Sequence, residues 1–289
     1  MRKVLVAAGA VAAMAAPMAA ISSSPAGAAS SNTFSVTATE YTYKMSGSPK
    51  PGNVEITFKN GGVELHMMAV QQLKPGVTLK QVNAALASSD QAGFAKIAAG
   101  DPNGVLGAPN LSSPGVSTTT LTNLKAGHYV ALCFVPAADG KPHFMHGMVK
   151  LFDVSGSKST VKPPTDGVVD VTITDSGITL PSSGLPKSGW IKVTNNATAA
   201  QDLTLAKYTG SNTDFASVND EVNNFFNTGA WSSGSAPVLL NGGVSGIAPG
   251  GTGYVEVSGL ASGKWVAVSS VQSDQSNSST PLHTDFTVS

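Results

Sequence analysis

The chain has 289 residues with 17 basic and 17 acidic side chains, so its formal charge is zero. That balance, with a single arginine at position 2, excludes a basic nucleic-acid-binding face and gives no strong steering of a charged partner. One cysteine excludes an internal disulfide, which leaves its thiol as a buried group, an intermolecular link or a ligand.

Residues 1–28 read as an export signal. Arg2 and Lys3 form a positive start, Val4–Ala20 is apolar and alanine-rich, and Ala26-Gly27-Ala28 offers a small-residue cleavage site. No cysteine follows the apolar run, which excludes a lipoprotein anchor, so the expected product is secreted with no stable membrane anchor. Removing Arg2 and Lys3 leaves 17 − 2 = 15 basic groups against 17 acidic ones.

Phe34–Met45 alternates with period two and reads as a strand, and Val54–Lys59 as a second. Asn60-Gly61-Gly62 breaks the pattern, and His66–Leu73 reads as a third strand. Thr78–Ser88 carries Val82, Ala85 and Leu86 at helical spacing, and Asp90–Ala99 reads as a second short helix with Asp90 as N-cap. Asp101–Pro114 is loop; Val116–Leu121, Tyr129–Val135 and Met148–Val154 return to strand. The polar segment Ser155–Thr165 ends in two prolines and has linker composition.

The second half repeats the first. Gly189–Asn195 parallels Asn53–Asn60, and Gln201–Tyr208 parallels His66–Leu73. Asp214–Phe226 is again helical, Gly263–Val268 parallels Gly127–Leu132, and Asp285–Ser289 parallels Leu151–Ser155. The predicted organisation is a signal at 1–28, a domain at 32–155, a linker at 156–166 and a second domain at 167–289.

Gly127–Val154 holds the cysteine, three of the five histidines and two of the eight methionines. A thiolate, imidazoles and a thioether suit copper better than calcium or magnesium. The order Asn60-Gly-Gly-Val-Glu-Leu-His66, then Cys133, then His143-x4-Met148 before a last strand resembles the cupredoxin family of plastocyanin-like and azurin-like blue copper proteins. The resemblance covers roughly residues 32–155. It implies an all-β fold of two cupredoxin-like Greek-key sandwiches in tandem, each with a short helical insertion. It also implies one type-1 copper in the first domain, held by His66, Cys133, His143 and Met148, and one-electron transfer with His143 as the exit edge. Phe144 and Pro136 would form an apolar rim for a redox or copper-exchange partner.

The chain departs from the small carriers in three ways. Nine residues separate Cys133 from His143, a length similar to the type-1 domain of copper nitrite reductases; Met67 follows the first histidine where small carriers often place asparagine; and helical residues intervene at 78–99. Within His143-Phe-Met-His-Gly-Met148, His146 and Met145 stand as alternatives to His143 and Met148. Each residue also has a purely structural reading: Cys133 as a small core hydrophobe, His66 as a strand-end hydrogen-bonder. Two other functions stay open, copper capture through His/Met ligands and a metal-free interaction module. No catalytic triad or second metal cluster is legible, so an enzyme is not expected. Aligning the repeat puts Gln201 at the His66 position, Ser269 at the Cys133 position and Leu282 at the Met148 position. The second domain is therefore expected to hold no copper.

Overall fold

The computed structural model describes residues 31–87, 91–99, 107–270 and 281–289. The expected export signal and the Asp90 cap lie outside them. The first half runs β1 (Thr33–Thr39), β2 (Thr42–Ser46), β3 (Gly52–Asn60), β4 (Ala69–Leu73), α1 (Leu79–Ala87), α2 (Gln91–Ile97), β5 (Ser117–Leu124), β6 (Gly127–Leu132) and β7 (Val149–Val154). The second runs β8 (Val169–Thr174), β9 (Gly177–Thr179), β10 (Gly189–Asn195), β11 (Gln201–Tyr208), α3 (Phe215–Thr228), β12 (Val238–Ile247), β13 (Thr252–Val257), β14 (Gly263–Ser269) and β15 (Leu282–Val288).

The expected all-β architecture is present: two cupredoxin-like sandwiches with helical insertions. In each half a first strand pairs in parallel with a third, β1 with β3 and β8 with β10. The opposing layers are β4-β6-β7 in the first half and β12-β11-β14-β15 in the second. Alternation decides the inward faces. Phe34, Val36 and Ala38 of β1 and Val54, Ile56 and Phe58 of β3 are buried against Tyr129 and Ala131 of β6 and Phe152 of β7. The rings of Phe34 and Phe152 meet at 5.0 Å across the layers. Each valine, isoleucine or phenylalanine among these buried side chains contributes roughly 1.5–3 kcal/mol by leaving water.

The segment Phe34–Met45, read from sequence as one strand, is a hairpin. It reverses at Glu40-Tyr41, where Tyr41 has a φ of 42°. Alternation continues through this turn, so periodicity alone hides it. The third strand starts at Ala69 rather than His66, and His66 instead bridges Ser112.

The repeat holds at the level of single hydrogen bonds. Asn60 Nδ2 donates to the carbonyls of Glu64 and Ser112, and its Oδ1 accepts from Gly62 N–H. Asn195 Nδ2 donates to the carbonyls of Ala199 and Ile247, and its Oδ1 accepts from Ala197 N–H. Every partner is displaced by the same 195 − 60 = 135 positions.

The halves are not beads on a string. Strands β5 and β13 pair antiparallel, Leu121 with Tyr254 and Thr119 with Glu256, which fuses both outer layers into one eight-stranded sheet. Strand β12 bridges residues 109 and 112 of the first half. Helix α3 is capped at its start by Asp214, whose carboxylate accepts from Ser217 N–H, and at its end by the left-handed Gly229. Its apolar face joins the core of the first half through Phe215, Val218 and Phe225. The other two helices cover the outer face of the three-stranded sheet, with Val82 packed against Leu73, Val130 and Leu132.

Candidate metal centre

Three side chains that are far apart in sequence converge at one end of the first sandwich. Ligand atoms of His66, Cys133 and His143 all lie within 4.8 Å of one another, and all three residues are buried. Nδ1 of His66 is 3.1 Å from Nδ1 of His143, and that nitrogen is 3.4 Å from Cys133 Sγ. This is the one cluster of three or more His, Cys, Asp or Glu ligands among the described residues.

Local backbone pairing puts each side chain there. His66 N–H donates to Ser112 O and Ser112 N–H to His66 O, a two-way bridge that pins the ring in a loop. Cys133 follows the end of β6. The nine residues after it do not wander: Ala137 N–H donates to Lys141 O at 2.8 Å, and Pro136 bridges Pro142. His143 N–H then donates to Val135 O and Phe144 N–H to Cys133 O. The long loop is thus a tight excursion that returns His143 beneath Cys133.

The chain turns through a 3-10 segment, His143–His146, and Gly147 with φ of 103° supplies the reversal before Met148. Met148 is buried in the first-half core, its N–H on His143 O and its carbonyl facing Cys133 N–H. Of the two alternatives within this stretch, Met145 is 49% exposed. His146 is held outside the cluster by Asp139 at 3.0 Å and by stacking on Tyr41.

The electrostatics favour neutral donors. Burial pushes the Cys133 thiol up to about 11, against the N–H groups of Met67 and Val135 that point at the sulfur. Burial, then the neighbouring His143, pulls His66 down to about 4, and burial likewise lowers His143. Two imidazole Nδ1 atoms and a sulfur at 3.1 and 3.4 Å are spaced as donors to one ion with bonds of about 2.0–2.3 Å. A cation there would take the thiol proton's place.

The lowered His66 has a consequence for the metal-free protein. Between about pH 6.5 and about 4 the unfolded chain takes up a proton that the native ring refuses, so stability falls as pH drops through that window. The expected loss is up to about 3 kcal/mol, read as a falling urea midpoint between pH 7.5 and 4. The fall should shrink in His66→Gln.

Several residues around the centre gave no readable sequence signal. Glu40 lies at the β1–β2 turn, 3.6 Å from His66 Nε2. Glu64 Oε2 is 2.9 Å from His143 Nε2. Tyr41 donates its hydroxyl to Glu64, and buried Tyr43 donates to Met67 O beside the sulfur. A carboxylate two residues before a histidine is common, and only the folded hairpin brings Glu40 across.

Two expectations about the rim change. His143 is fully buried, with Tyr41 packed edge-on at 4.9 Å, and Pro136 is buried too. The exposed apolar residues beside the centre include Val63, Phe134 and Met145. In the second half the corresponding place is filled by a hydrogen bond: Ser269 Oγ donates to Gln201 Oε1 at 2.7 Å, both buried. His283 stacks on Phe215 at 3.7 Å.

The chain thus has a cupredoxin-like fold repeated in two halves, with one soft-donor cluster among the described residues, in the first half. Among solved structures the chain is similar to the dithionite-reduced auracyanin of the photosynthetic bacterium Roseiflexus castenholzii, at 24% identity over 44% of this chain and 99% of that one, with a TM-score of 0.30. It is also similar to a multicopper oxidase, at 12% identity over 89% and 88% with a TM-score of 0.23. A third is a copper-containing nitrite reductase of Thermus scotoductus, at 10% identity over 88% and 60% with a TM-score of 0.22. Scores this low lend the site no support, which rests on its own geometry. No protein-family model matches the chain, and no curated protein matches it.

Proposed function

We propose that the protein is an exported type-1 copper-binding protein that passes single electrons, with His66, Cys133, His143 and Met148 as ligands. The observation that carries this reading is the convergence of two Nδ1 atoms and one thiol sulfur in a buried pocket. Sulfur and imidazole donors together select a soft or borderline ion over calcium or magnesium. Copper bound there would supply a one-electron couple. The chain's part is to hold the donors still: the backbone ladder from Cys133 to Met148 fixes three of them, and the His66–Ser112 bridge fixes the fourth. Burial excludes water from the centre, and the Met67 and Val135 N–H groups support negative charge on sulfur. Phe134, 47% exposed and adjacent to Cys133, offers an apolar contact for a redox partner.

The test is a Cu(II) titration of the chain from Ala29 onward with a visible spectrum. An intense sulfur-to-copper charge-transfer band at one equivalent, absent in Cys133→Ser, is the expected result. Copper uptake without that band, or uptake unaffected by the substitution, would refute the assignment. Export is tested separately, by the mature N-terminus of the protein recovered outside the cells that make it.

A further inference from the structure

Both imidazoles turn one nitrogen into the centre and the other toward a carboxylate. Nε2 of His66 faces Glu40 Oε1 at 3.6 Å and Nε2 of His143 faces Glu64 Oε2 at 2.9 Å. Neither contact has the alignment of a hydrogen bond, yet His66 Nε2, His143 Nε2 and Glu64 Oε2 are buried and have no other partner among the described residues. Each of these groups is costly to bury alone.

The carboxylates are themselves held. Glu40 Oε1 accepts from the N–H groups of Val63 and Glu64, in the loop that leads to His66. Glu64 Oε1 accepts from the Tyr41 hydroxyl. Hairpin tip and ligand loop therefore clamp each other. The clamp needs Gly62: a Cβ there would collide with the Glu40 carboxylate and come within 2.8 Å of His66 Nε2.

We propose that Glu40 and Glu64 are positioning residues that fix both rings as Nε2–H tautomers with Nδ1 lone pairs turned inward, and that their charge biases a bound metal toward its higher oxidation state. The second part rests on the copper reading; the first does not. An ionised carboxylate can only accept, so the ring nitrogen that faces it must carry the proton, and each Glu selects the tautomer whose Nδ1 lone pair is free for a metal. Negative charge near the centre stabilises the more positive metal state. Each carboxylate is about one-third exposed, so its effect is partly screened and weakens with salt.

Nitrogen-15 NMR of histidine-labelled, metal-free protein at neutral pH tests the first part. Wild type should show His66 and His143 as Nε2–H tautomers. Glu64→Gln, which keeps an acceptor oxygen, should retain this for His143; Glu64→Leu should lose it, and Glu40→Leu should do the same for His66. Midpoint potentials of the copper-loaded protein test the second. Glu64→Gln should shift the reduced-to-oxidised ratio toward reduced by about tenfold, an increase of about 59 mV for one electron. Glu40→Gln should shift it less, because its contact is longer. Tautomers in the leucine variants identical to wild type would overturn the first part, and an unchanged or lowered potential in Glu64→Gln the second. If wild type bound no copper, the functional reading and the charge bias would fall together, and the tautomer result would still decide the positioning role.

Discussion

Asn60→Ala should lower stability by about 3 kcal/mol or more and loosen the metal centre, whereas Asn195→Ala should lower stability about as much and leave metal binding unchanged. Each asparagine is fully buried and satisfies three backbone groups through its side chain. Truncation strands those groups, at roughly 1–3 kcal/mol each where water cannot replace the partner. The two sites differ only in what the tethered loop carries. Asn60 ties down Glu64 and Ser112, and Ser112 is the residue that pins His66. Asn195 ties down Ala199 and Ile247, beside Gln201. Urea unfolding of both variants, with a metal titration of each, reads both effects. Equal loss of metal affinity in the two would contradict the assignment of the centre to the first half alone.

Gly229→Ala, a change in the second half, should disturb the centre in the first. Gly229 caps α3 at a φ of 75°, where an alanine costs roughly 1–2 kcal/mol. Its Cβ would also run into the Ala137 carbonyl, in the loop between Cys133 and His143. That loop is held by short backbone bonds and cannot yield without moving His143. The expected result is a stability loss of about 2–4 kcal/mol with metal binding at least tenfold weaker. Unchanged metal affinity would mean the loop is independent of α3. The end of α3 thus sits directly against the ligand loop, a contact that the alignment of the two copies leaves open.

The sequence was most legible where one residue type carries the signal. Alternation located β3 to within two residues, the internal repeat located β10 and β11, and the lone Cys133 with His143 and His66 named the three side chains that converge. The repeat alignment put Gln201 at the His66 position and Ser269 at the Cys133 position, and these two residues hydrogen-bond to each other. It failed where geometry is set by contacts across the chain. The turn at Glu40-Tyr41 has no glycine or proline to mark it, so the hairpin, and with it the Glu40 clamp, was invisible. Strand β12 carries two adjacent glycines and drew no strand reading from sequence; a Cβ at Gly243 would strike the Leu203 carbonyl, so the glycine permits close strand pairing. The β5–β13 seam was not readable, because pairing between strands so far apart in sequence leaves no mark on either one.

X-ray absorption at the copper edge of the loaded full-length mature chain tests the central claim most directly. The account predicts one copper with two nitrogen donors and one short sulfur contact, the sulfur lost in Cys133→Ser and one nitrogen lost in either His66→Gln or His143→Gln. A copper environment of nitrogen and oxygen alone, or a sulfur shell that survives Cys133→Ser, would contradict it.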